Sequence, residues 1–173
     1  CRWGLGVDYP TRVSSGGGKY RYPGDDQQTP DTHTATFDFE GKSIAFEARS
    51  FHKRGFEDNT FGMAFYGDGG TLIIEDGGYK ILDMNNKEVS KAPSSSPQAP
   101  HLQNFLDCVK SGKRPNQDIE EGHKSTMLCH LGNIAYRTNS TLKCDPKTGR
   151  ILGNKEASAL WGREYRKGWE PKV

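Results

Sequence analysis

From Thr34 onward apolar and polar residues alternate: Ala35, Phe37 and Phe39 against Thr34, Thr36 and Asp38, then, past Glu40-Gly41-Lys42, Ile44, Phe46 and Ala48 against Ser43, Glu47 and Arg49. A period of two predicts strands with one dry face, here arranged as a hairpin. The alternation returns at Phe61, Met63 and Phe65, at Leu72 and Ile74, and at Tyr79 and Ile81, with glycine turns at Gly67 to Gly70 and Gly77-Gly78. An earlier short strand, Thr11 to Ser15, runs into Gly16-Gly17-Gly18, which reads as a flexible turn. The Ser- and Pro-rich stretch from Ser90 to Pro100 reads as an irregular connection that ends the sheet.

The period then lengthens. Leu102, Phe105, Leu106 and Val109 fall at i, i+3, i+4 and i+7 of a helix over His101 to Ser111, which stops at Gly112 with Lys110, Lys113 and Arg114 at its negative end. A longer helix is predicted from Asp118 to Asn139. Asp118 and Glu121 fit a capping box, and Met127, Leu128, Leu131, Ile134 and Ala135 form one apolar stripe. His123 and His130 ride on its flank, roughly 10 Å of helix apart and too far to share a metal. Thr141 to Cys144 and Ile151-Leu152 read as short edge strands, and Ala157 to Trp161 as a last helical turn.

The pattern predicts an α+β fold: an open, mainly antiparallel sheet with helices on one face, in a single domain over residues 1–173. Phe37, Phe39, Phe46, Phe65 and Ile74 are the expected dry face beneath both helices. Thr34, Thr36, Glu47, Tyr66 and Ile73 are expected on the opposite, mixed face.

Composition narrows the function. Only 32% of residues are hydrophobic and 21 are glycine, which implies a thin core. Net charge is +2 with both signs interspersed, so nucleic acid is not an expected partner. No apolar run approaches the ~18 residues that span a bilayer. Cys1, Cys108, Cys129 and Cys144 form no C-x-x-C pair, and neither a zinc site nor a disulfide framework is expected. Arg2-Trp3-Gly4-Leu5-Gly6 reads as the last turn of a helix whose start lies upstream, so the chain is expected to be part of a longer protein.

Two loops concentrate polar chemistry. Tyr20 to Asp31, YRYPGDDQQTPD, sets amide, basic and acidic groups beside aromatic faces, which suits either a solvated surface or a sugar-like ligand. Phe51 to Asn59, FHKRGFEDN, carries His52, Lys53 and Arg54 and reads as a charged connection or as one wall of an anion or sugar site. Neither Gly16 to Gly18 nor Gly67 to Gly70 has the spacing and following helix of a nucleotide-binding loop.

Three phrases, in order, resemble one family. Phe65 to Leu72, FYGDGGTL, resembles the strand, G-x-x-G turn and strand of the C-terminal domain of the Gfo/Idh/MocA oxidoreductases, the relatives of glucose-fructose oxidoreductase and inositol dehydrogenase. Leu102 to Pro115 resembles their helix ending in S-G-x-x-P, and Asp118 to Asn139 the long helix that follows.

The resemblance implies an N-terminal Rossmann domain, outside this chain, that binds NAD or NADP, while this chain alone binds neither. It also implies hydride transfer at a sugar or polyol carbon, assisted by a lysine in an E-K-P-like motif and a histidine ending a D-x-x-x-H-like motif. Neither motif is present, and Asp118 and His123 are five apart rather than four, so no catalytic residue is assigned. Cys1 to Gly4 resembles the stretch just past that histidine. The implied substrate-binding residues are Tyr20, Arg21, Gln27, Gln28, His52, Arg54 and His123, set around one polar cleft; His123, as a lone histidine on the flank of an apolar stripe, reads more readily as a packed structural residue. A homo-oligomer through the sheet face is implied as well. An NAD-dependent glycosidase of the same fold and a stand-alone carbohydrate-binding module are the alternatives. The compartment is not encoded; cytoplasmic is the default expectation, and an exported form is compatible with the sequence.

Overall fold

Among the described residues the alternating segments assemble into two antiparallel sheets, and the longest described helix covers one of them. A computed structural model describes residues 1–55, 59–75, 77–94 and 98–170. These fall into two compact units, one comprising Cys1 and Arg49–His123, the other Arg2–Ala48 and Lys124–Val173.

The second unit is built on a five-stranded sheet of order β3-β2-β1-β8-β9, formed by β1 (Arg12–Gly18), β2 (Thr32–Phe39), β3 (Lys42–Arg49), β8 (Leu142–Cys144) and β9 (Ile151–Leu152). In β2 the period of two holds: Ala35, Phe37 and Phe39 are buried. Helix α3 (Ile119–Arg137) lays Met127, Leu131, Ile134 and Ala135 against them, and Val13, Ile44, Leu142, Cys144 and Ala157 complete the core. The Asp118 half of the expected capping box is formed, with Asp118 Oδ1 accepting from the N–H groups of Glu120 at 2.9 Å and Glu121 at 3.2 Å. At the other end Asn139 takes a φ of 45° while the N–H groups of Asn139 and Ser140 return to the carbonyls of Tyr136 and Ala135. That paired return is a Schellman stop. The same pairing, Gly6 to Trp3 and Val7 to Arg2, ends the short helix α1 (Arg2–Leu5). Helix α4 (Lys155–Ala159) is capped by the Asn154 side chain.

The glycine run is not a turn. Gly16, Gly17 and Gly18 continue β1 and pair with Thr34, His33 and Thr32. Gly17 has a φ of 140°, and a Cβ there would lie 2.0 Å from the Thr32 carbonyl oxygen. The strand can approach its neighbour this closely only without a side chain. Glycine carries no hydrophobic signal, so the alternation ended early in the sequence.

The first unit contains a meander of order β4-β5-β6-β7: β4 (Gly62–Gly67), β5 (Gly70–Glu75), β6 (Gly78–Leu82) and β7 (Glu88–Pro93). Strand β7 replaces the first part of the expected irregular connection. Asp83 makes the turn into it, its Oδ1 accepting from the N–H groups of Asn85 and Lys87 at 2.8 and 2.9 Å. Residues 95–97 of that connection lie outside the described residues. In this meander Met63, Phe65, Leu72, Ile74, Tyr79 and Ile81 share one face by register. Ile73, expected on an open face, is instead buried.

Two expectations about the dry face change. Phe46 is 48% exposed, and Phe65 and Ile74 belong to the meander rather than to the sheet that holds Phe37 and Phe39. Helix α2 (Gln98–Ser111) forms with the expected stripe and ends at Gly112, but Leu102, Phe105, Leu106 and Val109 are each at least half exposed. No described helix is long and apolar enough to cross a membrane.

Candidate functional site

The loop between β1 and β2 is organised by Asp31, at the foot of β2. Its carboxylate is 2% exposed and accepts from three successive backbone N–H groups: Tyr20 at 3.1 Å on Oδ1, Arg21 at 2.8 Å and Tyr22 at 2.9 Å on Oδ2. The Thr32 hydroxyl adds a fourth donor at 2.9 Å. Burial alone would raise the carboxyl pKa, but the donors from Tyr22, Tyr20, Arg21 and Thr32 outweigh it and lower the value to about 2. Elsewhere in the loop Lys19 pairs with the Asp25 carboxylate and donates to its carbonyl at 2.7 Å. Gln27 Nε2 donates to Thr29 and to the Pro30 carbonyl. The Arg21 guanidinium sits 5.3 Å from the centre of the Tyr22 ring. Tyr20, Arg21 and Gln28 are exposed, whereas the Gln27 amide donors are committed to the loop itself.

His52, Arg54 and His123 belong to the other unit. His52 Nδ1 lies 3.2 Å from both the backbone N and the carbonyl O of Arg54, and its ring meets Phe51 edge-on. Thr60 donates to the Lys53 carbonyl at 2.9 Å, tying the segment at its far end. Glu57, included in the expected wall, lies outside the described residues. His123 is exposed in the second turn of α3, beyond an Asp118 cap that Arg114 holds at 2.6 Å. This contact and the backbone donors keep the Asp118 carboxyl below its ordinary range. Tyr20, Arg21, Gln27 and Gln28 therefore cluster in one unit, and His52, Arg54 and His123 are carried by the other.

Sequence reasoning missed two clusters. His33 Nε2 is 2.6 Å from Ser15 Oγ, and the ring meets Phe46 and Tyr136 edge-on at 5.9 and 5.8 Å. Burial lowers its pKa. The signal was available: His33 precedes Ala35, Phe37 and Phe39 by whole periods of two. The second cluster centres on buried Arg2, which donates to Ser125 Oγ, the Val7 carbonyl and Asp8, while Lys124 reaches Asp8 at 3.2 Å. In the meander an apolar concavity of about 440 Å³ is lined by Leu72, Ile74, Tyr79, Ile81 and Pro93. Among the described residues no three His, Cys, Asp or Glu side chains gather as metal ligands. Gly16 to Gly18 lie within a strand, and Gly67 and Gly70 pair across a hairpin. Neither run opens a helix whose N–H groups could hold a pyrophosphate, so these residues do not fit a dinucleotide.

The family model for the C-terminal alpha/beta domain of the oxidoreductase family matches residues 57–171. No curated protein matches the sequence. Among solved structures, the chain is similar to an oxidoreductase from Agrobacterium radiobacter in complex with NAD+, L-tartaric acid and magnesium, at 15% identity and a TM-score of 0.61, covering 82% of this chain and 45% of that one. It is also similar to aldose-aldose oxidoreductase from Caulobacter crescentus complexed with glycerol, at 17% identity and a TM-score of 0.63, covering 82% and 43%. The WlbA dehydrogenase from Bordetella pertussis, in complex with NADH and UDP-GlcNAcA, matches at 14% identity and a TM-score of 0.52, covering 83% and 41%. At such identities the likeness is one of fold. The chain spans less than half the length of each of these three.

Proposed function

We propose, on the premise that this chain belongs to the oxidoreductase family of C-terminal alpha/beta domains, that it is the substrate-binding and assembly part of an NAD(P)-dependent oxidoreductase acting on a sugar or polyol. The observation that carries this reading is the family match over residues 57–171. Two of the similar structures hold NAD+ or NADH, and one is an aldose-aldose oxidoreductase, which supports the cofactor and the substrate class.

In this reading Tyr20, Arg21 and Gln28 offer an aromatic face and hydrogen-bonding groups to a hydroxylated ring, with Gln27 contributing its carbonyl oxygen. His52, Arg54 and His123 supply further donors to hydroxyls. None of these residues is assigned to proton or hydride transfer. NAD or NADP supplies the hydride acceptor and is held by an N-terminal Rossmann domain outside this chain, since no glycine run described here opens a helix. Assembly uses the open face of the five-stranded sheet, where Ser14, Thr34, Thr36 and Glu47 lie and where Arg12 pairs with Asp38 at 2.6 Å. A specific pairing of this face with a second copy should bury at least ~1,000 Å².

The direct test is the activity of the protein encoded by the whole reading frame. It should reduce NAD or NADP in the presence of at least one member of a sugar and polyol panel. No reduction with any member, together with no dinucleotide fingerprint upstream of Cys1, would overturn the reading. Calorimetry on the present chain should show no NAD binding at micromolar concentration, and sedimentation should show it self-associating.

A further inference from the structure

The loop between β1 and β2 is ordered from beneath by a residue that cannot itself touch a ligand. Asp31 is 2% exposed, and both carboxylate oxygens are occupied by the three successive N–H groups of Tyr20, Arg21 and Tyr22 and by Thr32. Three consecutive N–H groups converge on one acceptor only where the backbone curls around it, the geometry of an anion-holding nest. Here the anion is built into the chain. The residues so fixed are outwardly displayed: Tyr20 is 72% exposed, Tyr22 43%, and the Arg21 guanidinium lies along the Tyr22 ring.

We propose that Asp31 is the positioning residue for ligand recognition, holding Tyr20, Arg21 and Tyr22 as a preformed platform for an uncharged sugar or polyol ring. The proposal rests on the reading of the chain as a substrate-binding domain. A sugar ring offers C–H groups to an aromatic face and hydroxyls to a guanidinium at its edge. A platform ordered before binding spares the ligand the cost of ordering it. The charge balance selects the ligand class. Lys19 is neutralised by Asp25, and Asp31 is enclosed by its own donors. Arg21 and Asp26 are left as opposite charges on the loop, which favours a neutral ligand over an anionic one.

The test is an NMR titration of the chain and its Asp31→Asn variant with D-glucose and with myo-inositol. The amide group of Asn places donors where the loop N–H groups point, so at least one bond must break. In the parent chain the backbone signals of Tyr20 to Tyr22 should shift at millimolar ligand. In Asp31→Asn the affinity should fall about tenfold, with protection of those amides from exchange lost and the signals of the Leu131 core unmoved. If Asp31→Asn does not fold, the Tyr20→Ala/Arg21→Ala variant replaces only exposed side chains and should abolish the ligand shifts. Ligand-induced shifts confined to His52, Arg54 or His123 would overturn the platform while leaving the substrate-binding reading intact. Unchanged affinity in a folded Asp31→Asn that has lost its protection would reduce Asp31 to a structural role and overturn the proposal. No ligand-induced shift anywhere in the parent chain would overturn the platform, whereas the substrate-binding reading stands or falls on the activity of the protein encoded by the whole reading frame.

Discussion

Gly132 of α3 passes so near Phe37 of β2 that a Cβ on it would lie 3.4 Å from Phe37 Cζ. The contact sits at the edge of ordinary packing, so two effects compete on substitution. Gly132→Ala gains helix propensity, about 1 kcal/mol, against a small displacement of the ring, and should fall within about 1 kcal/mol of the parent. Gly132→Leu must push the ring aside and should destabilise by about 1–3 kcal/mol. Urea unfolding of both variants measures the difference, and a tolerated leucine would show that helix and sheet are more loosely packed than described.

Leu131, one residue earlier, is 0% exposed among Val13, Leu142 and the β2 aromatics. Leu131→Ala should cost about 2–5 kcal/mol, from lost burial and the cavity left behind. A shift of the denaturation midpoint corresponding to under 1 kcal/mol would place the core elsewhere.

Acid should loosen the Tyr20 to Tyr22 segment selectively. The Asp31 carboxyl has a folded pKa of about 2, below its ordinary 3.8, so the fold favours the ionised form. That contribution is fully present above pH ~4 and is lost as pH falls through 2. The NMR titration of the Asp31 carboxyl carbon should have its midpoint near 2, with the amide signals of Tyr20, Arg21 and Tyr22 moving together. A midpoint near 4 would mean the donors do not hold it.

The four thiols should separate by reactivity. Cys1 and Cys129 are exposed, Cys108 is intermediate, and burial pushes the Cys144 thiol up to about 11. A thiol-specific reagent at pH 8 should modify Cys1 and Cys129 within the mixing phase of the reaction and Cys144 only as the protein unfolds. Peptide mapping that finds Cys144 labelled as fast as Cys129 would contradict its burial.

The exposed stripe of α2 should bind a hydrophobic dye. Phe105 and Val109 are 58% and 68% exposed, and Phe105→Ser with Val109→Ser should lower dye fluorescence and raise solubility without changing the unfolding midpoint by more than about 0.5 kcal/mol. A large loss of stability would instead show that the stripe is packed.

What could be read from the sequence was whatever side chains declare by periodicity. The α3 stripe, its Asp118 and Asn139 ends and the alternation of β2 lie where expected, because burial of Leu131 and Phe37 demands apolar residues at fixed intervals. The glycine part of β1 was invisible because Gly17 takes its place through backbone approach. Strand β7 was hidden by serine and proline, its pairing being carried by main-chain bonds to β6. The candidate residues Tyr20 and Arg21 were visible as chemistry, but the carboxylate that fixes them was not: its partners are backbone N–H groups, which every residue but proline possesses.

The pairing of β1 with β8 joins Arg12 to Lys143 and Val13 to Leu142. The central strand of the five-stranded sheet thus finds one of its two neighbours only after nearly the whole intervening chain has been made. During synthesis the hairpin of β1 with β2 can form early, yet its edge along Arg12 and Val13 stays open until Leu142 and Lys143 leave the ribosome. Contacts so distant in sequence close slowly, so folding of this unit is timed by its C-terminal segment, and truncation ahead of Leu142 exposes a strand edge that invites association.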